Sequence, residues 1–177
     1  MNLYLRLLLL LLKLPFVRHR GVFEPSRIHF RVLPNDCDIN LHMNNGRYLT
    51  FLDLGRTHLT AQTGLLSVVL KRRWQPVLAA AEINFIRALP PFARFTIVSR
   101  LMTWDEKYFY IEQRFERGGD LCAMTFVKAV FLANGKRLAS AEVLKALGVK
   151  DSAPTVPPAL RHWIEMSELK KQHTAVR

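Results

Sequence analysis

The stretch from about Asn45 to Gly64 places apolar residues at helical spacing around most of its circumference. One stripe, widened by two neighbours, comprises Tyr48, Leu52, Gly55, Leu59, Phe51 and Leu54. A helix with so broad an apolar surface is stable only when other elements cover it on several sides. Gly64 is typical of the residue that follows a helix C-terminus. The rest of the chain therefore has to wrap around this helix.

Strand patterns lie on both sides of the helix in the sequence. From Ser26 to Leu33 apolar and polar residues alternate, which predicts a half-buried strand that Pro34 ends. After a further short helical stretch at 65–70, the residues from Pro76 to Ser140 are typical of strands. Within them, Asn134-Gly135 predicts a tight hairpin turn. This order predicts an α+β fold in which an antiparallel sheet surrounds one long central helix.

The chain divides into three segments of different character. Residues 1–25 are rich in leucine and basic residues and predict an N-terminal helix. Residues 26–148 carry the central helix and the strands. Residues 149–177 form an extension with an amphipathic helix from about Pro158 to Gln172. A length of 177 residues is sufficient for one domain with a sizeable core.

A formal charge of +12 suits an anionic partner: nucleic acid, an anionic membrane surface, or an anionic substrate such as a coenzyme A ester. The basic residues are spread along the chain, without zinc-finger spacing, an RNA-binding signature or a basic heptad region. We therefore expect no nucleic-acid partner. Cys37 and Cys122 are too few for a disulfide framework, which predicts a reduced, cytoplasmic setting.

The leucine-rich N-terminus has two possible roles. Its apolar run from Leu7 to Leu12 is far shorter than the ~20 residues that span a bilayer. The helix either packs against its own domain or a dimer partner, or it lies in a membrane interface through residues 1–20. In the second case Arg6, Lys13, Arg18 and Arg20 would reach lipid phosphates. The sequence leaves both alternatives open.

A polar loop joins the first strand to the central helix and carries Asp36 and Asp38 shortly before the helix begins. A carboxylate can attack a carbonyl carbon or activate water, and a helix N-terminus offers free N–H groups and a dipole that favour negative charge. This combination suits reactions that develop an oxyanion. From spacing alone, turn and capping chemistry explains Asp38, Asn40, Asn44 and Asn45 equally well.

Two other kinds of site fit this loop poorly. It begins like a calcium-binding EF-hand, but Leu41 stands where that pattern requires glycine and Arg47 where it requires glutamate. Cys37 beside His42 suggests a thiol nucleophile, but the neighbouring carboxylates raise the pKa of a thiol and disfavour the thiolate. We expect no metal and no thiol chemistry.

The motifs of this loop resemble those of hotdog-fold acyl-CoA thioesterases, in the branch of 4-hydroxybenzoyl-CoA thioesterase. The matching residues are Asp36-Cys37-Asp38, His42-Met43-Asn44-Asn45 and Tyr48. The sequences at 31–34 and 104–110 are similar to those of animal proteins like thioesterase superfamily member six. The resemblance covers about residues 26–145.

The resemblance implies hydrolysis of a thioester of coenzyme A or of an acyl carrier protein, without a cofactor. It also implies a homodimer or homotetramer with the active site between subunits. Asp38 is expected to be the nucleophile or general base, with the N–H groups near Asn44 and Asn45 polarising the carbonyl. His42 and Asn45 would shape the site, and Asp36 would be structural, binding N–H groups of the loop.

Further residues are candidates for binding substrate. Asn44 lies at the site, and Tyr48 and Phe51 would line an acyl channel unless they pack in the core. Arg72 and Arg73, next to Lys71, would hold coenzyme A phosphates unless they form a solvated helix end. Arg87 is a similar candidate.

One residue departs from the family pattern. Many relatives have glycine immediately before the histidine, where this chain has Leu41. Glycine allows an unusual backbone angle that leucine adopts only at a cost. Together with the leucine-rich N-terminus, this departure motivates an alternative function, a non-catalytic acyl-thioester-binding or membrane-associated hotdog protein.

Overall fold

An antiparallel sheet surrounds the predicted central helix. The structure is a computed structural model that describes residues 3–175. Its helices are α1 (Tyr4–Lys13), α2 (Asn45–Gln62), α3 (Leu65–Arg72), α4 (Ser140–Leu147) and α5 (Pro158–Ala175). Its strands are β1 (Ser26–Arg31), β2 (Gln75–Phe85), β3 (Arg94–Trp104), β4 (Phe109–Arg117), β5 (Asp120–Ala133) and β6 (Lys136–Arg137). The predicted α+β arrangement is confirmed.

Within residues 3–175 the strands form one six-stranded sheet in the order β1-β3-β4-β5-β2, with β6 paired to β5. All of these pairs are antiparallel. The hairpin predicted at Asn134-Gly135 has φ angles of 50° and 76°, which suit a tight two-residue turn. This order leaves β1 and β2 as the two edges of the sheet.

The central helix α2 packs directly on one face of the sheet. Phe51 is fully buried and contacts the rings of Phe30 and Phe95 at centroid distances of 5.1 Å each. Gly55 marks the closest approach, because a Cβ there would lie 2.8 Å from Ile97 Cγ2 and 2.9 Å from Gln113 Nε2. Gly64 ends the helix with a φ of 77°, as the sequence predicted.

Helix α1 has one face in the core and one face in solvent. Leu10 is buried in the same cluster as α2, and Leu3, Leu7 and Leu14 pack against that cluster. The opposite face exposes Tyr4, Leu5, Leu8, Leu9, Leu11 and Leu12. Among the helices of the described residues, none has the length and apolar content that would let it cross a membrane.

Helix α5 packs on the other face of the sheet. Its Leu160 and Trp163 form a cluster with Tyr110 of β4. Side chains alternate between the two faces of a strand, and Gln113 of β4 contacts α2, so Tyr110 points the opposite way. The sheet is therefore partly covered on both faces.

Candidate active site

The loop between β1 and α2 is closed on itself by backbone hydrogen bonds. The N–H of Asp38 donates to the carbonyl of His42 at 3.1 Å, and the N–H of Asn44 donates to the carbonyl of Asp36 at 2.9 Å. Leu41 occupies the left-handed region with a φ of 57°. Leucine at this position thus adopts the backbone angle that glycine would allow, and its side chain is exposed.

Asp36 is the buried anchor of this loop. Its carboxylate has no exposed surface and accepts hydrogen bonds from both terminal nitrogens of Arg6, at 2.9 and 2.7 Å. It also accepts the N–H of Leu33 at 2.8 Å, and Arg47 Nη2 lies 3.4 Å from Oδ1. The contact with a loop N–H agrees with the structural role expected for Asp36. Arg6 was missed, because sequence reasoning considered it only as a lipid contact.

Asp38 lies at the surface of the loop. Its side chain is 23% exposed, and Oδ1 accepts the N–H of Asn40 at 2.9 Å. His42 Nδ1 lies 3.9 Å from the same oxygen, and the Asn44 side-chain amide donates to Oδ2 at 3.5 Å. The structure therefore brings Asp38, His42 and Asn44 together.

The N-terminus of α2 adjoins this carboxylate. Asn44 is the N-cap residue, and its Oδ1 accepts the N–H of Gly46 at 2.9 Å. Its carbonyl accepts the N–H of Arg47 at 2.8 Å. Within residues 3–175, the N–H of Asn45 has no hydrogen-bond acceptor, and Asn45 is exposed. A free, solvent-facing N–H at a helix start can bind an oxyanion.

Tyr48 and Phe51 belong to the core. Tyr48 contacts Phe85 and Phe115 at centroid distances of 5.0 and 4.7 Å, and burial raises the pKa of its hydroxyl to about 12. Phe51 is fully buried beside α1. Both fit the packing alternative that the sequence left open.

The candidate arginines lie at different ends of β2. Arg87 follows the end of β2 close to the loop, since the nearby Leu89 carbonyl accepts the N–H of Met43 at 2.8 Å. It forms an exposed ion pair with Asp120 at 3.0 Å. Arg72 and Arg73 precede the start of β2. A strand of 11 residues is about 36 Å long, so this start is far from the end of β2 that Arg87 follows. Within one subunit they do not join Asp38.

Cys37 is poorly suited to act as a nucleophile. Its pKa is raised, first by burial and then by the charges of Asp36 and Asp38, as the sequence indicated. Its Sγ lies 3.6 Å from the Leu33 carbonyl. The thiolate is therefore a minor species at neutral pH.

A cavity of about 290 Å³ that is partly open to solvent lies between the C-terminal half of α2, the sheet and α4. Sequence reasoning did not predict it. Its apolar lining includes Leu59, Leu101, Phe109, Ile111, Phe131 and Leu144. Asp53, Arg56, Thr57 and Thr60 supply a polar stripe from α2. These polar residues recur at helical spacing in the sequence, and this pattern is the signal that could have indicated the cavity.

Arg56 is the charged group that reaches furthest inward in this stripe. Its Nη1 donates to Gln113 Oε1 at 2.7 Å, and its guanidinium is paired with Asp53. Burial lowers the pKa of Arg56, and Asp53 opposes that effect. The pair is thus held in place beside an apolar cavity.

Comparisons relate this geometry to known proteins. The sequence profile of the Thioesterase-like superfamily matches residues 32–164. Protein THEM6 of Drosophila melanogaster is 35% identical over 160 residues, covering 89% of this chain and 81% of that protein. A probable thioesterase of Saccharomyces cerevisiae is 27% identical over 133 residues, covering 73% of this chain and 57% of that protein. The crystal structure of a probable thioesterase from Bartonella henselae has a TM-score of 0.60 and 25% identity, covering 66% of this chain and 98% of that chain.

Proposed function

The chain belongs to the Thioesterase-like superfamily, as its motifs predicted, and on that premise we propose that it hydrolyses acyl thioesters with Asp38 and the N-terminus of α2. The observation that carries this proposal is the partly exposed carboxylate of Asp38 in contact with Asn44, the N-cap of α2, together with the next residue, Asn45, whose N–H has no acceptor within residues 3–175. A carboxylate and an oxyanion donor are the two groups that thioester hydrolysis requires.

The reaction divides between these two groups. Asp38 attacks the thioester carbon directly or takes a proton from a water molecule that attacks it. The carbonyl oxygen gains negative charge and is stabilised by the Asn45 N–H and the helix dipole. The carbon–sulfur bond then breaks and the thiolate leaves. After direct attack, water hydrolyses the anhydride between the acyl group and Asp38, which releases the acid and restores the carboxylate, and the thiolate is protonated by solvent. In the water route the acid forms at once, and the proton taken up by Asp38 passes to the thiolate. Asn44 donates to Oδ2 of the carboxylate and orients it, and His42 lies 3.9 Å from Oδ1.

The edge strand β2 supports a homodimer. It exposes Val77, Leu78 and Phe85, and Ile86 just beyond its end is exposed too. A long apolar edge of this kind favours pairing with another strand. Two copies of β2 related by a two-fold axis perpendicular to a continuous sheet run antiparallel. The coverage of the other face by α5 favours this edge-to-edge dimer over stacking of two sheets.

Such a dimer would unite the elements that are separate in one subunit. The Asp38 loop adjoins the end of β2, where Phe85 contacts Tyr48, whereas Pro76 and Val77 at its start line the cavity. Antiparallel pairing places the start of one β2 opposite the end of the other. Each cavity, together with Arg72 and Arg73 just before β2, would then lie near Asp38 of the partner subunit and complete its site.

The cavity and the arginines indicate the substrate class. A volume of about 290 Å³ is at the lower end of small-molecule sites, which measure ~300–1,000 Å³. Its apolar lining suits an aliphatic acyl chain of medium length. Arg72 and Arg73 would bind the phosphates of coenzyme A, in agreement with the charge of +12. Arg87 would also bind coenzyme A phosphates, from the subunit that carries the Asp38 loop.

The test is hydrolysis of acyl-CoAs of increasing chain length by the wild-type protein and by Asp38→Asn. We expect the variant to lose about 10²–10⁴-fold in kcat, because it can neither attack nor accept a proton. Asp151→Asn, on an exposed segment, is the matched control. Equal kcat in Asp38→Asn removes Asp38 from the mechanism. If the wild type binds acyl-CoA tightly and does not hydrolyse it, the function is acyl-thioester binding and not hydrolysis.

The exposed face of α1 favours a second role, attachment to an anionic membrane surface. Contiguous exposed apolar residues mark an interaction site, and this face is flanked by Lys13 and Arg18. Leucines inserted among headgroups, with basic side chains reaching lipid phosphates, are typical of interfacial helices.

Flotation with phosphatidylcholine vesicles, with and without phosphatidylglycerol, tests this attachment. We expect the wild type to float with the anionic vesicles and the double variant Leu8→Glu/Leu12→Glu to remain below. Leu169→Glu changes an exposed leucine of α5 and is the control. Equal flotation of the wild type and the double variant would exclude α1 as the contact.

A further inference from the structure

We infer that Arg6 is a positioning residue of the active site: through Asp36 it holds the loop that carries Asp38. The inference rests on the proposed thioesterase function. Arg6 lies in α1, outside residues 32–164 that match the family profile. The N-terminal helix is therefore assigned a part in catalysis that the family motifs do not contain.

Arg6 binds three parts of the fold at once. Its Nη1 and Nη2 donate hydrogen bonds to Oδ1 and Oδ2 of Asp36, respectively. Nη2 also donates to the carbonyl of Arg31, at the end of β1, at 3.1 Å. Its guanidinium lies 4.7 Å from the centre of the Phe51 ring in α2. The side chain is 15% exposed, so these contacts are largely shielded from water.

The two-pronged contact also fixes geometry. A guanidinium that donates in parallel to both oxygens of a carboxylate sets the orientation of that carboxylate as well as its distance. Lysine has a single ammonium nitrogen and cannot reproduce this arrangement. The orientation of Asp36 in turn determines the path of the residues that follow it.

Asp36 transmits this constraint to the reacting groups. It lies two residues before Asp38, and its carbonyl accepts the N–H of Asn44, the N-cap of α2. From the other side, Arg47 of α2 contacts Oδ1 of Asp36 and donates to the carbonyl of Asn35 at 3.1 Å. The start of the loop, at Asn35 and Asp36, is thus held by Arg6 of α1 and by Arg47 of α2. Asp38 lies in the segment between Asp36 and Asn44, whose ends the backbone hydrogen bond joins.

Loss of Arg6 leaves a buried carboxylate with weaker compensation. The remaining cation, Arg47, is 3.4 Å from Oδ1, longer than either contact of Arg6. A carboxylate without exposed surface then favours rearrangement of the loop to reach water. A displacement of about 1 Å at a catalytic group can cost on the order of 10²-fold in rate.

The experiment compares Arg6→Met, Arg6→Lys and Arg6→Ala with the wild type, using the acyl-CoA that the wild type hydrolyses best. We expect kcat to fall by about 10²-fold in Arg6→Met and less in Arg6→Lys, with KM changed little. Methylguanidinium added to Arg6→Ala should restore part of kcat, because the vacated site is partly open to solvent. Arg161→Met, at an exposed position of α5, is the control and should keep wild-type kcat.

The outcomes separate the inference from the function on which it rests. A wild-type protein without thioesterase activity overturns both. An active wild type with unchanged kcat in folded Arg6→Met overturns the role of Arg6 and leaves Asp38 in place. If thermal melting shows that Arg6→Met is unfolded at the assay temperature, Arg6→Lys decides, and a wild-type kcat in that variant overturns the inference. A loss of kcat without any restoration by methylguanidinium assigns Arg6 to stability alone and also overturns it.

Discussion

Lys128 of β5 and Glu168 of α5 form an ion pair between the sheet and the C-terminal helix, in which the lysine side chain is 1% exposed and the glutamate 46%. The ammonium also lies 4.0 Å from the centre of the Tyr108 ring, and Lys171 lies 3.2 Å from the same glutamate. A buried ammonium requires such partners, because its transfer from water is costly. The pair therefore fixes where α5 sits on the sheet.

The two members of this pair should respond unequally to substitution. Glu168→Gln leaves a buried ammonium without its carboxylate, whereas Lys128→Met leaves a carboxylate that reaches water. We expect Glu168→Gln to lower the free energy of unfolding more, by less than the ~3–5 kcal/mol of a fully buried pair. Denaturant unfolding of both variants measures the difference. A larger loss in Lys128→Met would mean that packing of the lysine stem dominates.

Acid should weaken the same junction. Hydrogen bonds from Lys128 and then from Lys171 hold the pKa of Glu168 below its ordinary value. A carboxylate with a lowered pKa in the folded state stabilises the fold above its unfolded pKa, ~4.3, and loses that contribution as pH falls through the folded value. Melting temperatures measured below about pH 5 should fall more steeply for the wild type than for Glu168→Gln. Parallel curves would show that Glu168 is not linked to folding.

The elements that the sequence predicted correctly are those that depend on local patterns. The alternation at 26–33, the helical stripe from Asn45 and the Asn134-Gly135 turn each appear where they were expected. Side-chain periodicity and turn chemistry are properties of neighbouring residues, so a single sequence carries them. Asp38 lies before a helix N-terminus for the same reason.

The parts that escaped prediction depend on distant residues. Arg6 and Asp36 are separated by 30 positions. In the sequence Arg6 is one of several basic residues of the N-terminus, and nothing near it indicates a buried carboxylate partner. Lys128 and Glu168 are 40 positions apart. The polar stripe of α2 marks one wall of the cavity, but the gap itself arises where side chains of several elements fail to meet, and that depends on residues far apart in the sequence. Such contacts follow from packing and charge compensation after the fold forms.

Gly55 should tolerate no side chain. The Cβ of Gly55→Ala would lie within 3.0 Å of Ile97, Gln113 and Ser99. Alanine is the better helix former by about 1 kcal/mol, but overpacking in a core typically costs ~1–3 kcal/mol. We expect a net fall in the melting temperature, with α2 pushed away from the sheet. A raised melting temperature would show that helix propensity outweighs the close approach.

Leu41 should accept glycine at little cost. A left-handed backbone angle costs a residue with a Cβ roughly 1–2 kcal/mol, and Leu41→Gly removes that strain while adding flexibility to the unfolded chain. We expect Leu41→Gly to be neutral or stabilising in thermal melting. Ile39→Gly is the matched control, an exposed apolar residue of the same loop with a negative φ, and it should destabilise. Equal losses in both variants would show that the φ of Leu41 carries no strain.

Filling the cavity should shorten the preferred acyl chain. Ala129 of β5 lines the cavity beside Phe109 and Phe131, and Ala129→Leu would occupy space that the proposed chain end needs. Loss of room for one methylene in an apolar pocket is worth about 10–200-fold in kcat/KM. We expect the longest good acyl-CoA substrate to lose about that factor while the shortest one keeps its rate. Ala159→Leu, at an exposed position of α5, should leave the chain-length profile unchanged. An unchanged profile in Ala129→Leu would place the acyl chain outside this cavity.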